Sequence, residues 1–156
     1  KTSLVKALEQ HYGAFIISNE EGIEAEEVYW RLVRPNEPED TGPLHADAWF
    51  WELGHGKTPE GYQRTKVWIA LWCSVGRNGL NVVPHSQKEI WQYHGEFRNG
   101  FMKPQLDEDV TQLNVELANT KPGEAVVFHD KLLHGGALNM GDFTRVSLEF
   151  TLFSEK

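Results

Sequence analysis

Short β-rich runs separated by turn-forming residues dominate the sequence and restrict the folds open to it. Clusters of Gly, Pro, Asn and Asp bound these runs, as at residues 34–38 and 121–123. The runs are residues 14–18, 28–33, 44–51, 66–75, 80–83, 124–129, 132–138 and 145–153. Such a series, without an internal repeat, predicts a mainly β fold, most simply an antiparallel jelly roll.

Two stretches depart from this pattern. Residues 2–13 predict a short helix, because a hydroxyl cap opens the stretch, its apolar residues follow helical spacing and Gly13 ends it. Residues 87–119 are more polar, with a helical piece expected near 110–118, and we interpret them as a long insertion. We expect residues 1–156 to form a single domain with a few helices flanking the strands.

The composition excludes several functional classes. The chain carries 15 basic and 23 acidic residues, for a net charge of -8, whereas a protein that binds nucleic acid needs clustered positive charge. No apolar run approaches the ~20 residues of a membrane span, and no secretory leader pattern opens the chain. Cys73 is the single cysteine, which excludes an intrachain disulfide framework and a cysteine-based zinc site. We therefore expect a cytoplasmic protein without nucleic-acid or membrane partners.

His45 and Asp47 form the first candidate site in a chain that is rich in histidine and tryptophan. Both lie in the predicted strand 44–51, where residues i and i+2 point the same way, so an imidazole and a carboxylate converge. A third donor from a distant strand would complete the 2-His-1-carboxylate triad that binds iron(II) and leaves positions open. The His-x-Asp tripeptide alone does not establish a metal site, because this spacing also arises by chance.

The last predicted strand alternates between polar and apolar residues. Its polar positions are Arg145, Ser147, Glu149 and Thr151, and its apolar positions are Val146, Leu148, Phe150 and Leu152. In a strand, each set occupies one face. The ordinary interpretation is a half-exposed strand whose polar face meets water.

A second histidine pattern precedes that strand. Residues 123–139 contain a Gly-acidic turn, an apolar strand that ends at His129 and then the pair His134-Gly135. Arg145 follows His134 by eleven residues.

A third segment, residues 78–88, carries the order Asn-Gly, Pro, Ser and Lys. Taken together and in this order, the segments make residues 31–150 resemble the phytanoyl-CoA dioxygenase-like family of iron(II)/2-oxoglutarate oxygenases. In the third segment, His85 stands where the family has Gly and Gln87 where it has His. That departure affects any role carried over for this loop, but not the metal site.

The resemblance implies a double-stranded β-helix, which is the jelly-roll or cupin-like barrel of these oxygenases. It implies that His45, Asp47 and His134 hold iron(II) and are the catalytic residues. It further implies that Arg145 pairs with the distal carboxylate of 2-oxoglutarate, with Ser147 beside it on the same strand face. The polar face of the last strand would then line the barrel rather than meet water.

His129 is the alternative to His134 as the third ligand, since the two histidines lie five residues apart. The family pattern favours His134, because Gly135 and Gly136 after it leave space for the cosubstrate. We therefore expect a structural role for His129.

The tryptophans have two interpretations. Trp68 and Trp72 are predicted to share a face of strand 66–75, and the resemblance makes Trp68 a wall of the 2-oxoglutarate pocket. Trp49 and Trp51 follow His45 and Asp47 on their predicted strand face. The ordinary interpretation of each is core packing.

The residues expected to face the substrate are Trp49, His85 and Arg31. His85 has the alternative of a solvated loop position, and Arg31 that of an ordinary surface residue, like Arg34. The insertion 87–119 is expected to select the substrate, because long insertions on barrels often form lids.

The predicted function is an iron(II)- and 2-oxoglutarate-dependent dioxygenase. It would use O2 to hydroxylate, or otherwise oxidise, a C–H bond of a small-molecule substrate, with release of succinate and CO2. One alternative is a cupin-like metal enzyme that does not use 2-oxoglutarate. Another is a non-catalytic jelly roll that binds carbohydrate through its tryptophans. The sequence names neither the substrate nor the oligomeric state.

Overall fold

The computed structural model describes residues 2–19, 25–98 and 100–156. In chain order the helices and strands are α1 (Ser3–Tyr12), β1 (Phe15–Ile17), β2 (Tyr29–Val33), α2 (Asp47–Glu52), β3 (Tyr62–Trp72), β4 (Leu80–Val82), β5 (Tyr93–Arg98), β6 (Phe101–Leu106), β7 (Glu116–Ala118), β8 (Ala125–His129), β9 (His134–Gly136) and β10 (Arg145–Glu155). Short 3-10 turns cover Pro38–Asp40, Ser86–Lys88 and Val110–Gln112. The predicted mainly β fold is confirmed, as is the helix near the start of the chain.

The larger sheet is built around β10. Within the described ranges it has five strands, all paired antiparallel. One edge of β10 pairs along its length with β3, which in turn pairs with β8. The other edge pairs with β2 over its first half and with β1 over its second half. The strand that carries Arg145 is therefore central and covered on both edges.

A smaller sheet faces the larger one. Among the described residues it comprises β7, β4 and β9, in that order. Trp68, Ala70 and Phe128 of the larger sheet pack with Leu80 of β4 to form the core between the two sheets. Two facing antiparallel sheets with a shared apolar core are the architecture of a jelly roll.

Helix α1 covers the outer face of the larger sheet. Leu8 packs there against Val67, Phe150 and Leu152, and each buried aliphatic side chain contributes about 2 kcal/mol of transfer free energy. Because β10 turns its apolar face to the helix, its polar face points between the sheets. The ordinary expectation for this strand, a polar face in water, is therefore wrong. Arg145, Ser147 and Thr151 are all buried.

The predicted strand 44–51 is also wrong. His45 forms only an isolated bridge with His134, and the chain enters helix α2 at Asp47. Aromatic residues favour strands locally, but tertiary packing decides here. A helical turn lets Trp49 stack on Tyr93 while Trp51 packs on Phe153 on another side. Trp49 and Trp51 therefore do not share a face.

Two further predictions need correction. Trp68 and Trp72 do not share a face, because the pairing between β3 and β10 shifts register near Trp72. Trp68 is 1% exposed, whereas Trp72 is 58% exposed. The helical piece expected near 110–118 is a single 3-10 turn at Val110–Gln112 followed by strand β7.

The polar stretch 87–119 contains a β-hairpin of β5 and β6, but it ends in β7, a strand of the smaller sheet, so the predicted insertion includes part of the jelly roll. It packs on α2 through the stacked rings of Trp49 and Tyr93, whose centroids are 4.5 Å apart. Neither described helix has the length and apolar character needed to cross a membrane.

Candidate metal centre and carboxylate pocket

Three side chains meet at one end of the space between the sheets. His45, Asp47 and His134 each offer a ligand atom, and these atoms all lie within 4.8 Å of one another. Reciprocal backbone hydrogen bonds of 2.9 Å join His45 and His134, which places their rings 4.6 Å apart. Asp47 follows at the first turn of α2, with Oδ2 3.2 Å from Nε2 of His134. The spacing of His45 and Asp47 brings them together, although not through the strand that the sequence predicted.

Each of the three side chains is held on the side away from the cluster. Nδ1 of His45 lies 2.9 Å from the carbonyl oxygen of Pro43, and Nδ1 of His134 lies 2.9 Å from that of Leu132. An Nδ1–H that donates to a carbonyl fixes the tautomer and leaves Nε2 as a free lone pair. The ring nitrogens are therefore prepared to bind a metal.

Asp47 completes the set. Its Oδ1 lies 3.3 Å from Nζ of Lys66. Its buried Oδ2 has no hydrogen-bond donor among the residues that the structure describes. Two imidazoles and one carboxylate, with an orphaned oxygen facing the imidazoles, fit iron(II) and leave coordination positions for other ligands.

Electrostatics keep these groups in the ligating state. Burial and the neighbouring imidazole of His134 lower the pKa of His45 to about 4. Burial alone would raise the pKa of Asp47, but Lys66 and the two imidazoles lower it to about 2. At neutral pH, His45 is therefore neutral and Asp47 ionised, which are the forms that bind a metal.

A buried cation lies at the start of β10. Arg145 is 2% exposed; its Nη1 donates to the carbonyl oxygen of Gly79 at 2.5 Å, and its guanidinium faces the Trp68 ring. Burial lowers the pKa of Arg145 to about 10. Because this value is still well above 7, the side chain is charged at neutral pH. Within the described part of the chain, Nε of Arg145 and Oγ of Ser147 have no hydrogen-bond partner. Such groups are costly when buried, and an anion between them would satisfy both.

Three residues near this site were not given an individual role from the sequence. Lys66 faces the interior beside Asp47, and the ring of Phe50 lies 5.4 Å from that of His45. Glu149 points to the same interior and pairs with Arg31 at 2.7 Å. The alternation of β3 was the available signal for Lys66, since it shares a face with Trp68.

The other candidates lie apart from the cluster. Trp49 is in a hydrophobic core with Ala46 and Leu133. His85 is exposed, with a left-handed φ of 69°, and Arg31 is about half exposed. His129 is also largely exposed, with Nδ1 2.9 Å from Asp130.

Sequence comparison connects the whole site region to one family. A model of the phytanoyl-CoA dioxygenase (PhyH) family matches residues 18–147. Among curated protein sequences, none matches the chain significantly.

Solved structures share the fold. The apo form of ThoJ, a non-heme monooxygenase, superposes with a TM-score of 0.63 at 12% identity, covering 97% of this chain and 51% of its own. AviO1 from Streptomyces viridochromogenes Tue57 superposes with a TM-score of 0.59 at 15% identity, and the match covers 99% of this chain and 58% of AviO1. EvdO2 from Micromonospora carbonacea var. aurantiaca, complexed with 2-oxoglutarate, superposes with a TM-score of 0.58 at 20% identity. The match covers 82% of this chain and 51% of EvdO2. The present chain thus spans a little over half the length of these proteins, and the predicted jelly-roll fold is confirmed.

Proposed function

The chain belongs to the phytanoyl-CoA dioxygenase family, which uses iron(II), 2-oxoglutarate and O2, and from that premise we propose a specific activity. The protein hydroxylates a C–H bond of a small-molecule substrate and releases succinate and CO2. The observation that carries the proposal is the cluster of His45, Asp47 and His134, with its ligand atoms within 4.8 Å. We also propose that the protein is cytoplasmic.

In this proposal, His45, Asp47 and His134 hold the iron. Bound there, iron(II) supplies the activation of O2 and the oxidative decarboxylation of 2-oxoglutarate. The two imidazoles act through Nε2, since the Nδ1 atoms are occupied by backbone carbonyls. His129 has a structural role beside Asp130.

Arg145 and Ser147 bind the distal carboxylate of 2-oxoglutarate. The unsatisfied Nε of Arg145 and Oγ of Ser147 support this assignment, because two buried donors on one strand face suit a carboxylate. Trp68 forms a wall of the same pocket and keeps water from the guanidinium. An enzyme of the cupin type that lacks 2-oxoglutarate chemistry would have no use for this buried cation.

We place the substrate on the side of the cluster where Phe50 lies. Its ring contacts both His45 and His55, and Nε2 of His55 lies 2.5 Å from the carbonyl oxygen of Met102 in the hairpin. The hairpin of β5 and β6 therefore borders this side, which supports substrate selection by the insertion 87–119. Trp49 supports the hairpin from beneath through Tyr93 rather than by touching substrate.

Arg31 and His85 remain candidates for the outer rim of the substrate site. Arg31 is about half exposed and has Glu149 as its partner. An anionic group on the substrate would compete with Glu149 for the guanidinium. His85 is exposed in the loop before the 3-10 turn Ser86–Lys88.

An anaerobic titration tests the proposal. Addition of iron(II) and 2-oxoglutarate to the purified protein should produce a visible metal-to-ligand charge-transfer band. His134→Ala should abolish the band, whereas His129→Ala, in the same segment but outside the cluster, should retain it. A folded wild-type protein that gives no band would contradict the proposed function. Succinate release across a panel of metabolites would then identify the substrate.

A further inference from the structure

The two carboxylate oxygens of Asp47 have different neighbours. Oδ2 lies 3.2 Å from Nε2 of His134, on the side of the proposed metal. Oδ1 lies 3.3 Å from Nζ of Lys66. The side chain of Lys66 is 5% exposed, so this ion pair lies in the protein interior. One oxygen therefore faces the ligand cluster while the other faces a fixed positive charge.

The alternation of β3 puts Lys66 in this position. Val67 and Ile69 face α1 on the outer side of the sheet, whereas Lys66 and Trp68 face the space between the sheets. A buried ammonium group is unfavourable unless a carboxylate or other acceptors compensate it. Strand β3 thus places a cation in the protein interior, where an apolar residue is ordinarily found.

The other interior carboxylate has its own cation. Glu149 lies on the neighbouring strand and pairs with Arg31 at 2.7 Å. Lys66 pairs with Asp47 at 3.3 Å, and its charge, together with that of Arg31, also lowers the pKa of Glu149. Lys66 therefore contacts Asp47 on the side away from the histidines, as the carbonyl groups of Pro43 and Leu132 contact His45 and His134.

We propose that Lys66 is a positioning residue that holds Oδ1 of Asp47 and thereby directs Oδ2 alone at the metal. This inference rests on the proposed function. A carboxylate that binds through one oxygen leaves a neighbouring coordination position open, which a carboxylate binding through both oxygens would occupy. Partners of this kind orient metal ligands, and their loss typically weakens metal binding by about 10- to 100-fold. Unlike the carbonyls of Pro43 and Leu132, Lys66 can be removed by substitution.

The test compares Lys66→Met with the wild-type protein under anaerobic conditions. Its readouts are the dissociation constant for iron(II) and the position and intensity of the charge-transfer band with 2-oxoglutarate. Lys66→Met should weaken iron(II) binding by about 10- to 100-fold and alter the band. Lys66→Gln retains a hydrogen-bond donor without the charge. Its dissociation constant for iron(II) should therefore lie between those of the wild type and Lys66→Met.

Arg64→Met is the matched control. Arg64 lies on the same face of β3 as Lys66, two residues before it. Its Nε pairs at 2.6 Å with Asp130, and Asp130 is not a proposed metal ligand. Loss of this ion pair should leave the iron(II) dissociation constant within about 2-fold of the wild type, since additivity holds for sites without a shared partner.

The outcomes separate this inference from the function on which it rests. If the folded wild-type protein binds no iron(II), both are wrong. If it binds iron(II) and Lys66→Met gives the same dissociation constant and the same band, only the role of Lys66 is wrong. Should circular dichroism show that Lys66→Met does not fold, the same criteria apply to Lys66→Gln. An equal loss in Arg64→Met would also overturn the role of Lys66.

Discussion

The guanidinium carbon of Arg145 lies 5.6 Å from the centre of the Trp68 ring, and both side chains are buried. The two residues come from adjacent strands of the larger sheet and face its interior side. A desolvated cation over an aromatic ring is stabilised by up to about 2 kcal/mol, and the flat ring limits its movement. This pair thus presents a charged fork in a fixed direction, which is what recognition of a carboxylate requires.

Replacement of Arg145 by Gln should raise the KM for 2-oxoglutarate by about 100-fold. Two charge-assisted hydrogen bonds to a carboxylate contribute about 3 kcal/mol in total, which corresponds to this factor. Succinate release at varied 2-oxoglutarate concentration measures the change. Arg77→Gln is the control, because Arg77 forms an exposed pair with Asp142 and should leave the KM unchanged. Metal-dependent turnover that persists in Arg145→Gln without 2-oxoglutarate would favour the cupin-type alternative.

Trp68→Phe should weaken 2-oxoglutarate binding by about 5-fold. The smaller ring loses part of the attraction to Arg145, about 1 kcal/mol, while most of the apolar volume remains. Titration of the charge-transfer band with 2-oxoglutarate gives the dissociation constant. Trp72→Phe, on the same strand but 58% exposed, should have no effect. Equal affinity in Trp68→Phe and the wild type would show that the ring does not support the carboxylate pocket.

Local patterns in the sequence were sufficient for some of the regular elements. The spacing and caps of residues 2–13 predicted α1, and the alternation of β10 separated Arg145 and Ser147 from the apolar positions. Alternation does not say which face is buried, because that depends on α1 covering the apolar face. The interior position of Arg145 was available only through the family resemblance.

The residues brought together at the candidate metal centre were predicted, but the means by which they meet were not. His45 and Asp47 converge through a bridge to His134 and a helical turn rather than along a strand. Lys66 was missed because its role depends on a partner nineteen positions earlier in the sequence, a contact that no local period encodes. Phe50 was missed for a similar reason, since its contact with His45 exists only once the chain turns into α2.

The carboxyl group of Asp40 should titrate well below its usual range. The Nε, Nη2 and backbone N–H of Arg34 all donate to it at 2.8 Å, and they lower its pKa to about 2. Because this value lies below the usual 3.8, the contribution of the pair to stability is present above about pH 4 and is lost as the pH falls through 2. Carbon-13 NMR of the carboxyl group measures the pKa directly.

Arg34→Gln should return the pKa of Asp40 to about 4. Arg31→Gln is the matched control, since Arg31 pairs with Glu149 on the sheet and should leave Asp40 unchanged. A pKa near 4 in the wild-type protein would show that the loop between β2 and His45 is not held by Arg34.

Tyr93→Ala should loosen the hairpin of β5 and β6. The Tyr93 ring stacks on Trp49 with an interplanar angle of 9°, and its hydroxyl donates to Glu52, so both contacts join the hairpin to α2. The stack contributes about 1 kcal/mol beyond the buried area, so its loss should speed amide hydrogen exchange in the hairpin by about 5- to 10-fold. Mass spectrometry of peptides covering 93–106 measures this exchange.

Tyr93→Phe keeps the ring and should show a smaller change, while Phe97→Ala, at a side chain that is 70% exposed, should show none. If exchange in Tyr93→Ala matches the wild type, the hairpin is instead held by other contacts, such as His55 with the carbonyl of Met102.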